Sequence, residues 1–154
     1  MKKNFLLIII LTLCLFGCGV SHKVKDEEYS YIIKTNGFTG VIPEGRVIES
    51  VEEFIKYISE ESYYDYRNSS KLKKYDEEFF KTKSLVIQPW RTVSNSDYFI
   101  IESYKITGNK IYLNIKQTVW GVTMGFGENY MILEIDSEKV KNIDTVTCKW
   151  INKE

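Results

Sequence analysis

The stretch KIYLNIKQTVW, residues 110–120, has the most regular alternation of apolar and polar side chains in the chain. One face of an extended segment would carry Ile111, Leu113, Ile115, Gln117 and Val119, and the other would carry Tyr112, Asn114, Lys116, Thr118 and Trp120. A period of two predicts a β-strand with one buried and one exposed face. Thr107-Gly108-Asn109, directly before it, is typical of a hairpin turn. Residues 98–106 then form the preceding strand.

Further strand patterns surround this hairpin. Residues 129–136 and 144–151 continue the alternation, with Met131, Leu133 and Ile135, and then Val146, Cys148 and Trp150, on the inward side. Leu85-Val86-Ile87 is a continuous apolar run, which is typical of a buried strand, and Pro89 is expected to end it at the edge of a sheet.

Helical signals come earlier in the chain. Ser50 and Glu53 have the spacing of a capping box, and an apolar stripe with helical period follows at Val51, Phe54, Ile55 and Ile58. Asp76 is expected to cap one short helical turn over residues 77–80. The sequence therefore predicts an α+β domain, in which one or two N-terminal helices pack on an antiparallel meander of about five strands. The meander could form a sandwich or a half-open barrel.

The beginning of the chain has the pattern of a secretory signal. Lys2 and Lys3 supply a positive region, and residues 5–16 are almost wholly apolar. This run has about a dozen residues, whereas a membrane-spanning helix needs about 20.

The sequence Leu15-Phe16-Gly17-Cys18 resembles the lipobox of bacterial lipoproteins. The resemblance implies cleavage after Gly17, lipidation of Cys18 and attachment to the outer side of the cell membrane. An ordinary cleaved signal with an incidental cysteine is the alternative. The expected organisation is a signal peptide over 1–17, a flexible tether over 18–28 and one globular domain over 29–154.

Composition excludes several functions. Cleavage would remove Lys2 and Lys3 and leave 19 basic and 21 acidic residues, a net charge of −2. A near-neutral domain has no electrostatic reason to bind nucleic acid. His22, the only histidine, falls in the tether, so no histidine triad or histidine metal site is expected, and no cofactor or metal is predicted. Cys148 is expected to be a buried, unreactive thiol.

Residues 120–127, which read WGVTMGFG, interrupt the alternation between two long strands. Trp120, Met124 and Phe126 place large apolar groups on a glycine-rich loop, a composition typical of binding surfaces. These side chains could instead fold back and cap the core. Trp90, after Pro89, is a second candidate with the same two interpretations.

Residues 75–87, with a final strand at Glu134-Ile135-Asp136, resemble small lipoproteins of low-GC bacteria. More distantly, they resemble the C-terminal domain of the protease complex subunit PrcB. The resemblance implies a surface-tethered domain that binds or stabilises another protein and has no activity of its own. The chain has Ser94-Asn95-Ser96 where such domains often have a Ser-Gly pair.

The main functional hypothesis is therefore a membrane-tethered, non-enzymatic binding or accessory module with a protein partner. One alternative is a carboxylate-dependent surface hydrolase, for which Glu102 is the only acid whose position suggests burial, although a strand bulge would also explain it. Another is glycan binding by Trp90, Trp120 or the tyrosines of residues 63–66.

Overall fold

The computed structural model of the protein describes residues 20–25, 28–34, 44–61, 72–92, 98–119 and 127–151. Eight strands and three helices lie within them. The strands are β1 (Ser21–Lys23), β2 (Tyr29–Lys34), β3 (Arg46–Ile48), β4 (Lys83–Thr92), β5 (Tyr98–Thr107), β6 (Lys110–Val119), β7 (Gly127–Asp136) and β8 (Thr145–Trp150). The helices are α1 (Val51–Glu61), α2 (Glu77–Phe80) and α3 (Ser137–Val140).

The strands form two four-stranded sheets. The first sheet has the order β1-β5-β6-β8, and the second has the order β2-β7-β4-β3. All neighbouring strands are antiparallel except β6 and β8, which pair in parallel from Lys110↔Thr145 to Ile115↔Trp150. The longest pairings are β5 with β6 and β4 with β7, and each of these joins two ten-residue strands.

One apolar core lies between the two sheets. Val86 of β4 and Leu133 of β7 point into it from the second sheet, and Ile111, Leu113 and Ile115 of β6 point into it from the first. All five are at most 1% exposed. Two facing sheets that interdigitate in this way form a sandwich.

A second core covers the opposite face of the second sheet. Leu85 of β4 and Ile132 of β7 point into it and meet Phe54 and Tyr57 of α1. Residues 72–76 and α2 complete this cover, and we call α1, α2 and residues 72–76 the helical layer. The second sheet is therefore buried on both faces. This agrees with the apolar side chains at consecutive positions of β4 and β7.

The predicted α+β fold, with helices packed on a single antiparallel meander, is wrong. The protein is mostly β, with two sheets and three short helices among the described residues. A meander requires β7 to pair with β6, but β7 pairs with β2 and β4 in the other sheet. The physical reason is that residues 130–133 of β7 are apolar at every position, and this run is buried only where both faces of its sheet are covered.

Both predicted helix starts are confirmed. The Ser50 hydroxyl accepts a hydrogen bond from the Glu53 amide at 3.2 Å, and the Glu53 carboxylate accepts one from the Glu49 amide at 2.9 Å. The Asp76 carboxylate accepts a hydrogen bond from the Phe79 amide at 3.0 Å. These side chains satisfy backbone N–H groups that have no partner within the first turn of a helix.

The hairpin prediction is confirmed, and the predicted end of the first buried strand is wrong. Gly108 has φ of +60°, a conformation that favours glycine, and it turns the chain from β5 into β6. Strand β4 continues through Pro89, which pairs with Tyr130. Strand β3 pairs only with residues 85–87, so Pro89 lies beyond its end, where the missing N–H group costs no bond to β3.

Part of the expected tether belongs to the first sheet. Residues 21–23 form β1 and pair with residues 103–105 of β5. The ring of His22 stacks on Tyr104, with ring centroids 5.0 Å apart, although His22 itself is exposed. The chain is thus held against the edge of the sandwich over residues 21–24.

Replacement of Ile132 by alanine tests burial on both faces. A sheet with one buried face would leave Ile132 outside, where truncation changes the free energy of unfolding by at most about 0.5 kcal/mol. Because Ile132 is fully buried under the helical layer, we expect Ile132→Ala to cost about 2–5 kcal/mol in urea unfolding. Thr147→Ala, at an exposed position of β8, is the control and should be near neutral. Equal effects of the two substitutions would contradict the packing.

Candidate functional site

Three aromatic side chains from three strands meet at one end of the sandwich. Trp90 of β4 and Trp150 of β8 pack edge to face, with ring centroids 4.4 Å apart and planes 75° apart. Phe99 of β5 lies 5.3 Å from Trp150 and 6.1 Å from Trp90. Edge-to-face packing is a favoured arrangement of aromatic rings. We call Trp90, Phe99 and Trp150 the aromatic cluster.

Exposure increases across the aromatic cluster from the core to the surface. Phe99 is buried, Trp90 is half-buried against the inter-sheet core, and Trp150 is 40% exposed. Among the described residues, Trp150 and Val20 are the large hydrophobic side chains that are most exposed. An anchored indole that still reaches solvent can contact a partner with little further loss of side-chain freedom.

The strand register places this cluster near the end of the sandwich where β4 and β6 end and where β5 and β7 begin. Thr92 of β4 pairs with Gly127, where β7 begins, and Tyr98 of β5 pairs with Val119, where β6 ends. We call this end of the sandwich, with the aromatic cluster, the aromatic end. Of the predicted contact residues, Trp120, Met124 and Phe126 lie outside the described residues, so their role stays a prediction.

Trp90 is neither fully in the core nor fully on the surface, the two positions that its sequence context allowed. Its ring packs against the inter-sheet core, and it also supports Trp150 at the surface. Sequence reasoning missed Trp150 as a surface residue, because the alternation of β8 placed it inward with Val146 and Cys148. It does lie on that face, but it is the last residue of the strand. That terminal position is the signal that could have identified it.

Cys148 lies on the same face, two residues before Trp150. It is half-buried against the inter-sheet core, and its thiol is free. Burial raises the pKa of the Cys148 thiol from its usual 9.0 to about 12. The raised pKa disfavours the thiolate, which is the nucleophilic form of cysteine, but Cys148 is half-buried and not fully buried as predicted.

Glu102 does not occupy an apolar pocket. The register of β5 and β6 shifts between Ile101 and Ser103, so Glu102 is the extra residue of a β-bulge. Its side chain is 41% exposed, and its carboxylate lies 3.3 Å from the Lys116 ammonium. The observation that suggested a hydrolase is therefore explained by the bulge.

An open hollow of about 350 Å³ lies between the start of α1 and α2. Its charged groups are Glu49, Glu52, Glu77 and Lys81, all of them exposed. The Ser50 hydroxyl beside them is used in the helix cap. Across the described part of the chain, no group of three or more histidine, cysteine, aspartate or glutamate side chains could hold a metal ion.

Comparison with protein-family models, with curated proteins and with solved structures found no match to this chain. The resemblance to lipoproteins of low-GC bacteria and to the PrcB domain stays a prediction. None of the helices in the described ranges is both long and apolar enough to cross a bilayer.

Burial of Cys148 makes its reactivity a measure of folding. We expect the Cys148 peptide to be alkylated by iodoacetamide at least about tenfold more slowly in the native protein than in urea, at about pH 8. Because the pKa is raised in the folded state, stability is fully present below 9.0 and falls as pH rises from 9.0 toward about 12. The Cys148→Ala variant should lack this part of the pH dependence. Equal alkylation rates with and without urea would contradict the buried thiol.

Proposed function

We propose that this chain is a lipid-anchored, extracytoplasmic binding module, without enzymatic activity, that contacts another surface protein through its aromatic end. The positive region, the apolar run and the Leu15-Phe16-Gly17-Cys18 sequence support the anchor. The partly exposed aromatic cluster is the observation that supports the contact surface. A diacylated Cys18 would supply the two chains that stable membrane attachment requires.

The position of strand β1 supports a close attachment. Ser21 is already paired with Lys105 in the first sheet, three residues after Cys18. Three extended residues span at most about 11 Å, so a lipid on Cys18 would hold the edge of this sheet near the bilayer.

The aromatic end lies away from this attachment point. Because β1 is antiparallel to β5, the chain enters beside Lys105, near the hairpin at Gly108, whereas Phe99 lies at the other end of β5. The six residues from Phe99 to Lys105 span about 20 Å at the usual rise of a strand. A lipid anchor would therefore leave the aromatic end uncovered and available to a partner.

The composition of the aromatic end favours a protein partner. Tryptophan, phenylalanine and methionine are enriched at protein interfaces, and tryptophan is among the residues that most often dominate the binding energy. Trp150 is partly exposed at this end, where β6 ends and β7 begins. In the sequence, Trp120, Met124 and Phe126 fall between these two strands.

Fatty-acid labelling tests the anchor. We expect wild-type protein in cells fed an alkyne fatty acid to carry the label, and Cys18→Ala protein to carry none, because the thiol that accepts the lipid is removed. Cys14→Ala is the matched control, since Cys14 lies within the predicted signal and should be removed by cleavage. In-gel fluorescence after coupling to a dye gives the readout. An unlabelled wild type, or a labelled Cys18→Ala protein, would contradict the lipid anchor.

Cross-linking on intact cells tests the aromatic end. We expect Trp150→Ala, and separately the Trp120→Ala, Phe126→Ala double variant, to reduce capture of one specific surface protein by about tenfold or more. Tyr112→Ala is the control, because Tyr112 lies on the outward face of β6, away from the aromatic end. Thermal unfolding must first show that all variants are folded.

Unchanged capture by both test variants would contradict the contact surface. A second outcome would favour glycan binding, because sugars stack on exposed aromatic rings. If purified cell-wall polysaccharide binds the wild type and not Trp150→Ala, and no protein is captured, then the ligand is a glycan and the protein-partner proposal fails.

A further inference from the structure

The outward face of the first sheet carries a concentration of lysines. Ile111, Leu113 and Ile115 point into the inter-sheet core, so Lys110 and Lys116, at alternate positions of β6, point outward. We call this side of the sheet the outer face.

The other strands of the sheet add to it. Cross-strand partners share a face, so the pairing of Lys105 with Tyr112 and of Lys149 with Asn114 places both lysines on the outer face. Lys23 joins them because it pairs with Ser103, which pairs with Asn114.

The outer face is therefore strongly basic. Lys23, Lys105, Lys110, Lys116 and Lys149 stand against one acid, Glu102, which gives a net charge of +4. Lys116 is ion-paired with Glu102, whereas none of the ion pairs between described residues involves the other four lysines.

The charge of the remaining chain has the opposite sign. The chain from Cys18 onward carries a net charge of −2, so everything outside the outer face sums to −6. Exposed acids are frequent in the helical layer, where they include Glu52, Glu53, Glu77 and Glu78. The helical layer covers the far side of the second sheet, so the positive and negative sides of the domain lie on opposite sides of the sandwich.

The outer face also lies beside the expected anchor. Strand β1 is the edge strand of this sheet and begins three residues after Cys18. A lipid on Cys18 would hold the start of β1 within about 11 Å of the headgroups. That distance is slightly longer than the Debye length of about 8 Å at physiological ionic strength, so the potential of the bilayer is weakened by salt but still acts on Lys23 of β1.

We propose that the outer face docks on anionic phospholipid headgroups, so that the sandwich lies flat against the bilayer. This proposal rests on the proposed lipid anchor and deepens it. Basic residues beside an anionic leaflet are attracted to it, and a basic patch is an established second signal beside an acyl chain. The acidic helical layer is repelled by the same leaflet, which favours one orientation of the domain.

Lysine acetylation in reconstituted vesicles tests the orientation. The lipidated mature protein, which begins at Cys18, is placed in phosphatidylcholine vesicles with or without phosphatidylglycerol, and the acetylation rate of each lysine is measured by mass spectrometry. We expect phosphatidylglycerol to slow acetylation of Lys105 and Lys149 by about threefold or more at low salt, and high salt to reverse this effect. Lys56 and Lys73, both exposed in the helical layer, are the internal controls and should change little.

A charge variant strengthens the test. Lys105→Gln with Lys149→Gln should abolish the protection that phosphatidylglycerol gives to Lys23, whereas Lys56→Gln with Lys73→Gln should leave that protection intact. Equal acetylation of Lys105 and Lys149 in the two kinds of vesicle would overturn the docking proposal. Equal slowing of the four lysines Lys56, Lys73, Lys105 and Lys149 would overturn it as well, because it would show no preferred face.

The mass of the N-terminal peptide separates the two proposals. With a lipid on Cys18, failure of the acetylation test refutes docking alone. Without a lipid, the anchor fails, and co-sedimentation of the processed protein with phosphatidylglycerol vesicles tests the outer face by itself. If the Lys105→Gln, Lys149→Gln variant then binds the vesicles about thirtyfold more weakly than the wild type, the result would support the outer face as a lipid surface. No sedimentation of the wild type would overturn it.

Discussion

The structure depends on burial of the second sheet on both of its faces. In β4 and β7, consecutive side chains are apolar, so that Val86 and Leu133 require a cover on one side while Leu85 and Ile132 require a cover on the other. No single partner layer can satisfy both requirements. The first sheet covers one face and the helical layer covers the other, which explains why the strands of this short chain are divided between two sheets.

Local structure was largely predictable because its signals are local. The predicted strand over residues 110–119, the Ser50 and Asp76 caps and the turn at Gly108 each concern interactions within a few residues, and each is confirmed. The assembly of the strands was not predictable in the same way. The partners of β7 in the second sheet are β2 and β4, each more than thirty residues earlier in the chain, and the one-sided pattern predicted for β7 is wrong because its residues 130–133 are apolar on both faces. Helix α3, with four residues, is too short to have a periodic signal.

The candidate site shows the same division between local and non-local information. Composition alone identified Trp90, but its neighbours Phe99 and Trp150 come from strands that are distant in the sequence. Alternation correctly assigned Trp150 to the inward face, yet it contains no information on where the facing sheet stops. The exposure of Trp150 depends on how the end of β8 packs against the facing sheet, although its terminal position in the strand can be read from the sequence. The bulge at Glu102 is likewise a property of pairing, since it exists only relative to β6.

The distribution of charge also depends on how the strands assemble, and it bears on the proposed membrane contact. A net charge near zero suggests no electrostatic partner, but the alternation that buries Ile111 and Leu113 also sorts lysines onto the opposite face. If the outer face lies on the bilayer, the strands run along the membrane plane, because they lie within that sheet. The aromatic end, which lies at one end of those strands, then points along the membrane and not away from it. A partner that reaches Trp150 must in that case sit at the height of the headgroups, which favours another membrane-attached protein over one that approaches from solution.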